Sequence, residues 1–585
     1  MSNRRSLTAA NAYATSRPMS KLFLTIALGS IAVGAVGWAL PDLIARASDS
    51  VALSGVISSQ QEGLMEGVVV SARRDGANFT VAVVSDAKGK YSFPRTHLEP
   101  GKYALTIRAV GYDLNGPGSV TIAEGKTSNA DLKLEKTKDL ASQLSSLEWA
   151  MSVPGTPEQK DKVIYQTVSC AYCHAWERVV KSNHTADEFV DLITRMQKYY
   201  TDGSAVSRDN RGRGQIGPPD QVAAAEQNPK WGREPFGVPK KELAEYLTTV
   251  NLSGGKTTWP YELKTLPRPK GKATRVIITQ YDMPRPDTVA HDLDLDSAGT
   301  VWYTDESRMI FGKMNPKTGV FTEYALPPVP PGDLPGARDI QVDRDDNIWF
   351  PRRIANAAVV LTKYNPKTEE VSTIEGAGTQ FMALGPEGKI WAGWTRIDPK
   401  TMKVEATYGW EKSPNIPPGP HRQYVDLTVV NSKGNPYAPD IGGSYIIGID
   451  AMTGQAKFWQ VPTPRSSPRR GRMDAQDRFW FAEYTGDKVG MFDTRTEKFQ
   501  EWPMLRKYTT PYAVSAPDRN GYVYATSNMS ERLMRLDPKT GEIVEYQIPT
   551  EFDSKKITYD PTTSRLTLWM VNTRTARMMK VEPLE

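Results

Sequence analysis

GTVWYTDE, residues 299–306, places a turn in front of a short apolar strand carrying an aromatic residue. The same arrangement returns as DNIWFPRR, GKIWAGW, GNPYAPD, DRFWFAEY, GYVYATS and LTLWMVN, with aromatics at 302, 349, 391, 437, 480, 524 and 569. The spacing between successive aromatics runs from 42 to 47 residues. A second element recurs between the copies: MNPKTGVFTEYALP, YNPKTEEVSTIEG, IDPKTMKVEAT, IDAMTGQAKFWQVP, FDTRTEKFQEWP and LDPKTGEIVEYQIP. Strand, turn and strand at this period, seven times over, predict a seven-bladed β-propeller across residues 272–585.

The two ends of the array predict how it closes. The last copy, RTARMMKVEPLE, stops where the next outer turn and strand belong, while an orphan outer strand, RVIITQYDMP (275–284), precedes the first aromatic. That strand completes the seventh blade, so that no open sheet edge is left. In a propeller the innermost strands begin at one mouth of the central channel. Counting ten to twelve residues back from each aromatic puts His291, Asp292, Arg338, Asp339, Gln380, Arg469, Arg470 and Tyr512 there, with His421 and Arg422 slightly earlier. The arginines suit an anionic ligand or pair with local carboxylates; either reading is open.

These repeats resemble the virginiamycin B (streptogramin) lyase family. The resemblance implies the propeller fold and, for activity, an elimination assisted by a divalent metal ion with histidine and glutamates at the channel mouth. His291, His421, Glu306 and Glu483 are the candidates for that role.

Upstream lies SCAYCHAWERV (169–179), which holds both cysteines of the 585-residue chain and one of its five histidines. Cys170, Cys173 and His174 have the Cys-x-x-Cys-His spacing of c-type haem attachment, with two thioether links and an axial imidazole. A zinc site needs further ligands that no other cysteine supplies. A thioredoxin-like pair belongs in a βαβ setting that is absent here. The surrounding segment, 136–255, reads as helical. TPEQKDKVIYQTVSC leads into the pair, TADEFVDLITRMQKYY opens with a capping box from Thr185 to Glu188, and VPKKELAEYLTTVNL ends near Asn251. It resembles a cytochrome c domain, and the run CAYCH…EFVDLITRM resembles the haem domains attached to quinohaemoprotein amine dehydrogenases. One covalently attached haem c is therefore expected, with His174 on the iron. Met196 is the favoured sixth ligand, with His184 or an open position as alternatives.

Residues 50–135 read as short strands between turns, a small antiparallel β-sandwich. Gly55, Gly67-Val68-Val69-Val70, Asp86 to Phe93, Pro100-Gly101-Lys102-Tyr103 and Gly111-Tyr112 resemble the carboxypeptidase regulatory-like domain, usually an accessory module. Before it, Leu22 to Leu40 is uncharged, and Ala45 and Ala47 fit a small-residue cleavage site. Residues 1–47 are thus a signal peptide or an N-terminal anchor, and membrane contact is confined to them. The remainder is exported, to the periplasm.

The chain is then mainly β and multidomain: a sandwich, an α-helical cytochrome c domain and a propeller. Its net charge of +6 is spread without a basic block, which argues against nucleic-acid binding. A periplasmic electron-transfer protein is the first expectation, with a redox partner protein and a small-molecule substrate as possible company for the propeller. A lyase with an accessory haem and a non-catalytic docking module are the alternatives. A haem edge facing the channel mouth favours the first.

Overall fold

Seven four-stranded antiparallel blades make up the C-terminal part of the chain, the arrangement of a β-propeller, the fifth and sixth being joined into one sheet by a parallel bridge between Arg470 and Ala513. This is a computed structural model, and it describes residues 50–173, 175–199, 227, 229–230, 237–330, 335–354, 358–376, 379–411, 413–419, 421 and 427–584. Residues 1–47, His174 and Arg422 lie outside the described residues.

Each repeated aromatic stands on the second strand of its blade: Val301–Asp305, Ile348–Arg353, Ile390–Ala392, Pro436–Asp440, Arg478–Glu483, Val523–Ser527 and Leu568–Asn572. All seven are buried between blades. Five are tryptophans, and burying an indole N–H demands a partner. An acidic residue in the turn before the strand supplies it. Trp302 donates to Asp296 at 2.9 Å, Trp349 to Asp343 at 2.8 Å and Trp480 to Asp474 at 2.8 Å. Trp391 uses Glu387 at 3.0 Å and Trp569 uses Asp560 at 3.0 Å.

The closure expected from the orphan strand is present. Val276–Asp282 pairs antiparallel with Arg577–Pro583, from Val276 opposite Pro583 to Asp282 opposite Arg577. It also does something the repeats do not announce. Its other edge pairs with Phe79–Val84 of the sandwich, Ile278 opposite Ala82 and Tyr281 opposite Phe79. The seventh blade and one sandwich sheet are thus a single eight-stranded sheet.

Alternation along a strand then feeds two cores. Val70, Ala72, Val81 and Ile277 face the sandwich interior, with Phe93 and Tyr103. Val69, Ala82, Val276 and Ile278 face the propeller, against Tyr524, Leu568 and Val581. This is why residues 68–70 are apolar without alternation. The sandwich departs from the all-antiparallel expectation along its first strand. Val51–Ser59 pairs in parallel with Leu132–Lys136 and with Ser128–Asn129, because the chain crosses between the two sheets and returns in the direction in which it entered.

Five α-helices occur among the described residues: α1 (Ser146–Ser152), α2 (Pro157–Cys173), α3 (Glu177–Val180), α4 (Ala186–Tyr199) and α5 (Lys240–Val250). The expected capping box of α4 is formed, with Glu188 accepting from the Thr185 N–H at 2.8 Å. A second one, Ser145 with Glu148, opens α1 and is buried. The helices share one apolar cluster with Tyr484, Tyr508, Tyr512, Ala513 and Met529 of the propeller. Tyr512 and Ala513 belong to the inner strand Pro511–Val514 of the sixth blade, so the helices pack at the mouth where the inner strands begin. No described helix is long and apolar enough to cross a membrane.

Candidate functional site at the channel mouth

Inner strands in a propeller converge, so side chains at their first positions meet across the ring. Arg470, on Pro468–Met473 of the fifth blade, reaches Asp292 on Ala290–Leu295 of the first. Its Nη1 donates to Oδ1 at 2.8 Å and its Nη2 to Oδ2 at 2.6 Å. His291 Nδ1 lies 3.0 Å from the same Oδ1. Burial opposes the Asp292 charge, yet Arg470 and His291 hold its carboxyl well below the ordinary range.

The other mouth candidates are mostly paired in the same way. Arg338 Nε donates to Glu306 at 2.6 Å, and Asp339 accepts from the Met382 N–H at 3.0 Å. Arg469 lies over the rings of Tyr484 and Tyr512, at 4.3 and 5.2 Å. Gln380 is buried, and neither end of its amide has a hydrogen-bond partner among the described residues. The carboxylate-pairing reading therefore holds for Arg338 and Arg470.

His421 stands apart from this group. Its Nδ1 lies 2.7 Å from Asp440 Oδ2 and its Nε2 2.5 Å from the Pro417 carbonyl, inside a box of Trp410, Tyr445 and Phe458. Both ring nitrogens are thereby engaged. Glu483 ends the second strand of the fifth blade and is buried, which pushes its carboxyl up to about 8, with Glu501 adding to the rise. Among the described residues no group of three or more His, Cys, Asp or Glu side chains is placed to hold a metal ion.

Lysines from the seventh blade join the mouth. Lys556 donates to the Ile340 carbonyl at 2.5 Å. Lys555 bonds both Asp553 oxygens at 2.7 and 2.6 Å and lies 4.4 Å from the Tyr512 ring; burial lowers its ammonium to about 8. Both precede Trp569 by slightly more than the offset used above, because the loop before that strand is longer.

The cysteine motif meets this surface. Cys170 and Cys173 occupy the last turn of α2. Between them, the buried carbonyl of Ala171 accepts a hydrogen bond from Nη2 of Arg574, a loop residue of the seventh blade. The same Nη2 donates to the Asn528 carbonyl at 2.7 Å. Asn528 Nδ2 in turn donates to the Tyr484 hydroxyl at 2.8 Å, and Tyr484 meets Tyr512 edge-on with centroids 5.8 Å apart. Contacts run unbroken from the motif to the mouth.

Two buried polar side chains beside the motif carry atoms without a hydrogen-bond partner among the described residues. They are both amide ends of Gln166, one turn before Cys170, and Nε and Nη1 of Arg574. A buried orphan costs about 1–3 kcal/mol. A polar prosthetic group fits such a place. Met196, on α4, is partly buried against the shared cluster. His184 lies 5.4 Å from Phe189 in an edge-on contact. A groove of about 400 Å³ also opens here, where Arg108 and Asp113 of the sandwich meet Ala175, between α2 and α3, Glu177 of α3 and Glu531 of the propeller.

The fold and site define a mainly β protein: a propeller whose last blade continues into a sandwich, with a Cys-x-x-Cys helix docked at the channel mouth. Residues 52–135 match the carboxypeptidase regulatory-like domain. No curated protein matches the chain. Similar solved structures include virginiamycin B lyase from Staphylococcus aureus, 19% identical over 52% of this chain and 99% of that one, with a TM-score of 0.44. A streptogramin B lyase is 17% identical over 54% and 99%, with a TM-score of 0.45. Hydrazine synthase from Kuenenia stuttgartiensis is 14% identical over 52% and 97%, with a TM-score of 0.39.

Proposed function

We propose that this chain is an exported, periplasmic electron-transfer protein that carries one c-type haem and receives a redox partner or small substrate at its propeller. The observation that carries this reading is the fastening of Ala171, between Cys170 and Cys173, to Arg574 at the propeller mouth. A Cys-x-x-Cys-His motif in a helical segment is the chemistry of haem attachment, and its docking at the mouth favours electron exchange there.

Cys170 and Cys173 would hold the group. Each would do so through a thioether, its sulfur joined to one vinyl carbon and the thiol hydrogen carried by the other. His174 would bind the iron, with Met196 as the favoured second protein ligand. A c-type haem supplies a one-electron iron couple. The protein's part is to fix the attachment helix. Tyr165 of α2 donates to Asp487 at 2.5 Å, Lys507 pairs with Asp161 at 2.8 Å, and the Leu147 N–H of α1 donates to the Met529 carbonyl at 2.8 Å.

The test is production of the full chain with haem-maturation machinery, followed by intact mass measurement and a visible spectrum. One covalent haem per chain is expected, lost in a Cys170→Ala/Cys173→Ala variant. A polypeptide without added mass, or one with Cys170 and Cys173 joined as a disulfide, overturns the reading.

A further inference from the structure

We propose that Arg574 is a positioning and potential-tuning residue: it fastens the attachment segment to the propeller and sets an unpaired positive charge beside it that favours the reduced iron. This rests on the haem reading above.

Three observations combine. Arg574 is 3% exposed, and a buried guanidinium stays charged because its proton is not given up in proteins. Of its donors, Nη2 serves the Ala171 and Asn528 carbonyls, while Nε and Nη1 have no partner among the described residues. No carboxylate among the described residues comes within ion-pairing distance. Two charged groups lie within its electrostatic reach, Glu531 and Lys555, and neither forms an ion pair with it. Glu531 pairs with Arg108, and burial raises its carboxyl so that its charge is disfavoured. Lys555 is bound to Asp553 and, being a cation, cannot compensate Arg574.

A structural latch alone needs none of this. Two backbone carbonyls can be satisfied by a neutral amide, and an unpaired buried charge costs folding energy. The expense is explained when the charge acts on a neighbour whose own charge changes by one. Oxidised iron is more positive than reduced iron, so a fixed cation close by disfavours oxidation. The same residue holds the motif to Asn528 and, through it, to Tyr484. Position and potential are thereby set by one side chain.

The experiment is a spectroelectrochemical titration of the haem-loaded full chain beside its Arg574→Gln and Arg574→Lys variants. Removing the charge in Arg574→Gln is expected to lower the reduced-to-oxidised ratio at fixed potential about tenfold, equivalent to about 59 mV for one electron. Arg574→Lys keeps the charge at neutral pH. A buried lysine without a partner has a lowered pKa, so that variant's potential is expected to fall between pH 7 and 10 by more than the wild type's, in which Lys555 and Glu483 titrate over the same range. The Lys variant also carries the test where the Gln variant fails to fold. An unchanged potential in Arg574→Gln, or wild-type pH behaviour in Arg574→Lys, overturns the inference while leaving the haem reading intact. Absence of haem from the wild type overturns the haem reading instead.

Discussion

Arg470 of the fifth blade and Asp292 of the first form a bidentate ion pair across the propeller channel, 2.8 and 2.6 Å long and fully enclosed. Breaking a buried pair costs more than the pair contributes, because the remaining charge has no solvent. Arg470→Met is therefore expected to destabilise the protein by about 3–5 kcal/mol, read as a lowered urea midpoint. Adding Asp292→Leu should recover most of that loss. The stabilisation is complete above the carboxyl's ordinary value of 3.8 and disappears as pH falls through its depressed value. A single variant that loses less than about 1 kcal/mol, within the range of an exposed pair, would contradict this account.

Ile277 and Ile278 are neighbours on one strand, each 1% exposed, and they serve different cores. Ile277→Ala and Ile278→Ala should each cost about 2–5 kcal/mol. Because the strand joins Phe79–Val84 to Arg577–Pro583, sandwich and propeller should melt together in both variants. Calorimetry resolving a separate sandwich transition in Ile277→Ala would show that the shared sheet does not couple them.

The propeller was legible because one physical requirement, a buried aromatic on each second strand, repeats at 302, 349, 391, 437, 480, 524 and 569. Closure by Val276–Asp282 was legible for the same reason, since an outer strand with no blade must find one. What escaped is pairing between unlike elements. The run Val68-Val69-Val70 signals burial on both faces, but nothing local says that the second face meets a propeller. At the site, offsets from the aromatics found His291, Asp292, Arg338 and Arg470, because inner strands begin at a regular distance. Arg574 had no such signal. It lies in a loop after a second strand, and its partner Ala171 is 403 residues away in sequence. His421 matched the offset loosely, and the structure places it in an aromatic box of its own.

Glu483 supplies a pH signature. Its ordinary value is 4.5 and the fold pushes it up to about 8, first through burial and then through Glu501. Between those values the folded protein keeps a proton that the unfolded chain has released. Stability from this group therefore falls with rising pH, by about 1.4 kcal/mol per unit, and levels off above 8. Glu483→Gln should remove that slope, so its stability relative to wild type should rise between pH 5 and pH 8. Parallel denaturation curves for the two proteins across this range would refute the assignment.

Tyr165 and Asp487 join α2 to the propeller, and their bond should be what keeps the attachment helix in place. Asp487 also accepts from the Tyr508 N–H at 2.6 Å and the Thr510 N–H at 2.7 Å. Burial raises its carboxyl to about 6 despite these donors. Tyr165→Phe removes one donor from an enclosed acceptor, at a cost of about 1–3 kcal/mol. The loss should be local. The Asp487 side is also held by backbone N–H groups of its own body, whereas α2 gives up its hydroxyl contact. Hydrogen exchange in α2 amides is then expected to quicken by about tenfold or more, while the second strands of the first four blades exchange as before. Uniformly faster exchange would mean that the bond supports the whole fold; no change in α2 would mean that Lys507–Asp161 and Arg574–Ala171 suffice to hold the helix at the mouth.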